Sequence, residues 1–381
     1  MSTVLIACDK FKGSLTAAEV CTSVEEGVRN ATRGISIISV PMADGGDGTT
    51  AAALSAGYEE RTVEVTGPTG LPLQASFAFD AATGTAVVEM ARASGLELLP
   101  GGVLDPLGAT SYGTGQLVLA ALDTGARKII LGVGGSACTD GGSGFLQALG
   151  AVLLDKDGNA LARGGGALRT LAEVDLNTLD PRLAGCELVL ASDVDNPLLG
   201  LKGAAHVYGP QKGAGAADQR MLEDGLVHFA FAVCEATGEP FARTKEPGTG
   251  AAGGTGFAAL VVLAAAMRPG VQVLMQITGF HKALASLTST DLIITGEGSL
   301  DAQTLHGKVV AGVGAEARDR GVPVVAVCGQ QSLNEHEQAG IGIRKVYPLT
   351  DFSPDLPTCF TQAAALLTVA GKEAATDWIT V

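Results

Sequence analysis

Positive charge is scarce in this chain. Its 25 Lys and Arg stand against 40 Asp and Glu, a formal charge of −15. Such a surface repels nucleic acid and anionic membranes and excludes both as partners. Long apolar runs are missing too: the longest, residues 257–267, is too short to span a bilayer, and no basic segment with a cleavage site precedes residues 3–8. The seven Cys, an odd number, include no Cys-x-x-Cys spacing and sit mostly inside apolar runs. They read as reduced thiols filling core, which predicts a cytoplasmic protein. His206, His228, His281, His306 and His336 form no zinc spacing. No Gly-x-Ser-x-Gly elbow occurs, and Gly307-Lys308 is followed by Val309, so no P-loop is present.

Glycine is what the chain has in excess. At 53 residues it reaches about twice its usual share without a repeating period, which excludes collagen-like sequence and leaves many turns and backbone-lined sites. The length exceeds what one hydrophobic core supports. Alternating strand and helix patterns at both ends predict a doubly wound, flavodoxin- or Rossmann-like parallel α/β domain made of residues 1–60 and 286–381. Within it a capping box, Thr16 to Glu19, opens the first helix. Residues 61–90 read as antiparallel strands joined by tight turns. They introduce an inserted mixed α/β domain, residues 61–285, with residues 257–267 read as a helix. The active site is expected in the interdomain cleft, with the chain crossings near residues 60 and 287 as a hinge.

The glycines arrive with charged residues, in short segments that follow apolar runs. Asp9-Lys-Phe-Lys-Gly-Ser14 and Asp44-Gly-Gly-Asp-Gly48 follow the first two strands, where doubly wound sheets bind ligands. Gly132-Val-Gly-Gly-Ser-Ala137 matches a relaxed dinucleotide fingerprint, with Asp155 about 20 residues on, and Gly248-Thr-Gly-Ala-Ala-Gly253 matches the complete one outside its proper context. Asp193 and Asp195, two apart at a strand end, would project from one face before Asn196-Pro197 stops the strand. Glu297 and Asp301 follow the same logic. Backbone N–H groups of such turns hold anions, while clustered carboxylates suit a cation or a proton to be moved; a magnesium-bound phosphate meets both demands. Lys10, Lys12, Lys212 and Lys308 are the cations in Gly-containing loops.

Several of these blocks carry a family resemblance: Phe11-Lys-Gly-Ser-Leu15, Pro41-Met-Ala-Asp-Gly-Gly-Asp-Gly-Thr49, Gly134-Gly-Ser136, Ala191-Ser-Asp-Val-Asp-Asn-Pro-Leu-Leu-Gly200, Gly209-Pro-Gln-Lys-Gly213 and Ile294-Thr-Gly-Glu-Gly-Ser-Leu-Asp301 with Leu305-His-Gly-Lys308. In this order they resemble the bacterial-type, class I glycerate kinases, from the first strand to about Gly329. Lys10, Asp47 and Cys138-Thr139 depart from the commoner family residues. The resemblance implies transfer of the γ-phosphoryl group of ATP, with Mg²⁺, to D-glycerate, more often at the 2-hydroxyl than the 3-hydroxyl, by a monomer or homodimer. On it, Asp193, Asp195, Lys12 and Asp44 are expected to be catalytic, with Asp193 and Asp195 toward the metal. Lys10, Ser14, Gly45, Gly46, Asp47, Lys212 and Asn196 are expected to bind substrate. Gly134, Gly135, Ser136, Gly296, Glu297, Gly298, Asp301 and Lys308 are expected to bind the nucleotide. A nicotinamide-dependent dehydrogenase using residues 132–137 and a non-catalytic sensor of a small organic acid are the competing readings.

Overall fold

The structure is a computed structural model that describes residues 2–32, 34–353 and 355–379. Its strands are β1 (Thr3–Cys8), β2 (Ser36–Ser39), β3 (Glu59–Thr66), β4 (Pro72–Asp80), β5 (Thr85–Glu89), β6 (Lys128–Gly132), β7 (Val152–Asp155), β8 (Leu171–Asp175), β9 (Glu187–Ala191), β10 (Ala266–Arg268), β11 (Leu292–Leu300), β12 (Val324–Gln331) and β13 (Lys345–Pro348). The chain forms two compact units. One comprises residues 1–44, 51–57 and 269–381, the other residues 45–50 and 58–268. The helices Gly270–Ile277 and Phe280–Ala285, placed by sequence in the insert, therefore group with the first unit.

The first unit is built on a five-stranded, wholly parallel sheet in the order β13-β12-β11-β1-β2. The middle of this sheet is apolar and buried, at residues 4–8 of β1, 292–294 of β11 and 324–328 of β12, as strands covered on both faces are. The helix Ala17–Ala31 starts at the expected capping box: Thr16 Oγ1 accepts from Glu19 N, and the Glu19 carboxylate accepts from Thr16 N at 2.8 Å. This helix crosses Ala363–Trp378 so tightly that a Cβ on Gly27 would lie 2.1 Å from the Thr368 carbonyl oxygen. Val20, Val24 and Val28 meet Leu367, Ala370 and Ala374 in the core of this unit. The chain leaves β1 toward β2 on one side and, from β11 on, builds outward on the other. The sheet thus has the flavodoxin-like order, with its switch point between β1 and β11.

The second unit holds a six-stranded mixed sheet, β10-β9-β6-β5-β4-β3, and a two-stranded ribbon, β7-β8. β3, β4 and β5 pair antiparallel, as the turn-rich sequence predicts, while β5, β6, β9 and β10 run parallel. Hence the C-terminal ends of these four strands lie at one edge of the sheet.

Three segments differ from the sequence reading. Residues 257–267 are not one helix. A π-helical turn, Ala258–Val262, breaks the run, Ala264 takes φ +51°, and β10 follows. The strand-helix alternation of the C-terminal part reads residues 303–320 as one helix, but the structure has a 3₁₀ turn at Thr304–His306 and then Val309–Arg318, split at Gly307, whose φ is +101°. Most consequential for function, Gly296, Glu297 and Gly298 are not a loop. They continue β11, because β12 keeps pairing alongside as far as Leu300 opposite Gln331.

Candidate active site

β11 outruns β1: the pairing of the two ends at Cys8 opposite Gly296, and β11 continues for four more residues. Just above that point the loop after β1 folds back over the exposed backbone. Asp9 N donates to the Gly296 carbonyl at 2.8 Å, and an isolated bridge between Phe11 and Leu15 closes the loop. Gly298 lies against this loop, the position of its missing Cβ being 3.5 Å from Lys12 N and Phe11 Cα, an ordinary contact distance. The outcome is a pocket of about 420 Å³ at the switch point.

Its floor is ionic. Asp9, Lys10, Lys12, Asp44, Glu297 and Lys308 line it, so seven of the residues singled out from sequence (the last five of these, with Ser14 and Gly298) come together there. Glu297 is 4% exposed; Thr304 Oγ1 donates to its Oε1, and Lys308 Nζ stands 3.9 Å from its Oε2. Burial pushes this carboxyl up to about 7, opposed by Thr304 and Lys308 and aided by Asp301 and Asp44. Asp9 is also buried, and burial, then the Asp44 charge, hold it well above the carboxylate range. Two buried acids with raised pKa values, beside three lysines, form a site able to exchange protons and to hold anions. Asp301 is not among the lining residues; its carboxylate accepts from Gln303 N at 2.8 Å and from Ser299 Oγ at 3.3 Å.

In the second unit the segment 45–50 is laid across the ends of β5 and β6. Glu89, which closes β5 and is 1% exposed, accepts from Gly48 N at 3.1 Å and Thr50 N at 3.0 Å. Burial raises its pKa despite these bonds. Glu89 was not singled out in the sequence; the available signal was an acid ending an otherwise apolar strand. Gly132 and Gly134 are the complement of this arrangement. A Cβ on either would fall 2.8 Å from the Gly45 carbonyl oxygen or 2.4 Å from Gly46 Cα. The next residues pair with residues 94–96: Leu96 N donates to the Gly135 carbonyl at 2.8 Å, and Ala137 N to that of Ser94 at 2.8 Å. Helix Ser143–Ala148 begins well beyond this turn, so the helix N-terminus that a dinucleotide fingerprint requires does not follow it. The second match, residues 248–253, is likewise packed: a Cβ on Gly253 would meet the Cys138 carbonyl oxygen at 2.1 Å, one on Gly250 that of Pro197 at 2.2 Å.

Lys212 is only 2% exposed. Its ammonium donates to Ser136 Oγ at 2.9 Å and to the Cys138 carbonyl at 2.5 Å. Burial lowers its pKa, while Cys138 and the Asp140 carboxylate oppose that change. Asp140, another residue the sequence reading passed over, is fully buried and accepts from Ser111 N and Oγ, each at 2.8 Å, and from Gly142 N at 3.1 Å. Asp193 and Asp195 follow β9, and both are exposed. Asn196 is engaged locally: its Oδ1 accepts from Tyr208 Oη at 2.6 Å and its Nδ2 donates to the Lys202 carbonyl at 2.8 Å.

Among the described residues no three His, Cys, Asp or Glu side chains are grouped to hold a metal ion, no helix is long and apolar enough to cross a membrane, and all seven cysteines are free.

The sequence and the fold both have close counterparts. Residues 4–379 match the family model described as the glycerate kinase family. A glycerate kinase of Halalkalibacterium halodurans is 42% identical over 98% of each chain, and a glycerate 2-kinase of Escherichia coli is 44% identical over 86% of this chain and 84% of its own. A crystal structure of a protein from Salmonella typhimurium, named as a candidate glycerate kinase 2, superposes with a TM-score of 0.85 at 37% identity, covering 99% of this chain and 98% of that one. With its flavodoxin-like sheet, its mixed second unit and a match that spans nearly its whole length, this chain belongs to the glycerate kinase family.

Proposed function

We propose that this protein transfers the γ-phosphoryl group of ATP to D-glycerate, forming 2-phosphoglycerate, in a Mg²⁺-dependent reaction in the cytoplasm, as a monomer or homodimer. The observation that carries this reading is the match to relatives named glycerate kinase over 98% of both lengths. The switch-point pocket supplies supporting chemistry, because phosphoryl transfer needs alignment and charge neutralisation more than covalent participation. Lys10, Lys12 and Lys308 neutralise phosphate oxygens. Asp44 or Glu297, which line the same pocket, takes the proton of the attacking hydroxyl. Gly298 lines the same pocket.

Asp193 and Asp195 suit Mg²⁺ in a limited sense. Mg²⁺ keeps several waters and takes one or two carboxylates besides substrate phosphates, which fits two exposed acids two residues apart better than a cage built by protein alone. When bound, the ion would supply charge neutralisation at the phosphates. For Lys212, Gly134 and Ser136 the packing favours a scaffold role: Gly134 lies against Gly46 and Asp47, and Lys212 ties Ser136 to the Cys138 carbonyl.

The dehydrogenase alternative has little left, since its fingerprint turn is filled by residues 45–47 and followed by no helix. Purified protein with Mg²⁺ and ATP should release ADP only when D-glycerate is added, and Asp193→Asn or Asp195→Asn should slow that release. No glycerate-dependent ADP contradicts the activity; two near-normal variants contradict the roles given to Asp193 and Asp195.

A further inference from the structure

The switch-point pocket is lined by two chemically different sets of residues. Besides its ionic residues it has a wall of carbon and sulfur: Leu356, Cys359 and Phe360 of the short helix Leu356–Thr361, and Phe11. Phe360 is 56% exposed and Leu356 46%. Isolated exposed apolar residues need no explanation, but these two line one pocket that three lysines also line. Phe360 is held by the lysine-bearing loop itself. Ser14 Oγ donates to the Phe360 carbonyl at 2.7 Å, and a Cβ on Gly13 would lie 3.9 Å from the Phe360 ring.

A three-carbon hydroxy acid has no flat face to lay on a phenyl ring and would leave most of about 420 Å³ unfilled. A purine nucleotide has both required parts, a planar base and a polyanionic tail. We propose that Phe360 and Leu356 form the nucleobase subsite, with the phosphates running from there toward Lys10, Lys12 and Lys308. The proposal deepens the kinase reading and rests on ATP being the donor. It gives the C-terminal segment a ligand contact that its sequence, with neither glycine nor charge between residues 356 and 362, does not advertise.

Phe360→Ala tests it, with inorganic tripolyphosphate as a probe that has the charge of the tail and no base. The KM for ATP should rise about tenfold, the size of effect one stacking contact on an aromatic ring supplies. The KM for glycerate and the inhibition constant of tripolyphosphate should stay within twofold. Leu356→Ala should shift the KM for ATP in the same direction, and Phe360→Trp should restore it. An unchanged KM for ATP, or equal weakening of ATP and tripolyphosphate, overturns the subsite. Should the wild type show no glycerate-dependent turnover, calorimetric binding of ATP and tripolyphosphate to wild type and Phe360→Ala decides the same question. Selective loss of ATP binding then supports the base wall even though the acceptor reading fails, and equal binding of ATP by both proteins overturns it.

Discussion

Gly134 and Gly46 approach so closely that a Cβ on Gly134 would lie 2.4 Å from Gly46 Cα. The contact is backbone against backbone, so no flexible side chain can move aside. Gly134→Ala should therefore destabilise the second unit by about 1–3 kcal/mol, the usual cost of overpacking, and should loosen segment 45–50. Urea unfolding with hydrogen exchange at residues 45–50 reads both effects; unchanged stability and protection contradict the packing role.

Glu89 holds that segment from the other side, with one carboxylate oxygen for each of two backbone N–H groups. Glu89→Gln replaces one acceptor by an NH₂ group, which cannot accept from the N–H it faces. The loss should be about 2 kcal/mol, since bonds to a charged acceptor are stronger than neutral ones. A melting temperature equal to that of the wild type would show that the clamp does not matter.

Lys212 is predicted to act through stability and not through an open contact with substrate. Removing the ammonium leaves the buried Asp140 without a nearby positive charge and Ser136 and Cys138 without their donor. Lys212→Met should cost about 3 kcal/mol. If the variant is as stable as the wild type but has a much higher KM for glycerate, Lys212 touches the substrate instead.

Glu297 makes stability depend on pH in a direction that can be worked out. Its carboxyl is raised in the folded protein to about 7 from an ordinary 4.5. The folded state therefore holds a proton that the unfolded state releases. This contribution is fully present below about 4.5, falls as pH rises and is gone above about 7, a change on the order of 3 kcal/mol. The raised Asp9 adds in the same sense. Glu297→Gln keeps an acceptor for Thr304 and cannot ionise, so it should flatten the melting curve between pH 5 and 8 and stabilise the protein at pH 8. Parallel pH profiles for variant and wild type contradict the burial of an ionisable Glu297.

What could be read from the sequence was mostly local. The capping box at Thr16, the strand-helix alternation around the first sheet, the antiparallel residues 61–90 and the loop Asp9–Ser14 with its lysines depend on neighbours in the chain, and the structure has them where expected. What could not be read depends on partners far along it. Gly296 looks like a loop glycine until β12 is known to run beside it, where its missing Cβ would lie 2.5 Å from the Val327 carbonyl oxygen. Gly134 looks like a phosphate cradle until Gly46 is found against it. Glu89, Asp140 and Phe360 bear no motif; burial or a facing pocket singles them out.

The most direct test is proton-coupled ³¹P NMR of the product formed from D-glycerate, Mg²⁺ and ATP by the purified protein. Transfer to the 2-hydroxyl predicts a new phosphomonoester signal split into a doublet by the single proton on C2, growing in step with ADP. A triplet, from the two protons on C3, contradicts the proposed regiochemistry. Absence of any phosphomonoester, with only ADP and inorganic phosphate appearing, contradicts glycerate phosphorylation itself.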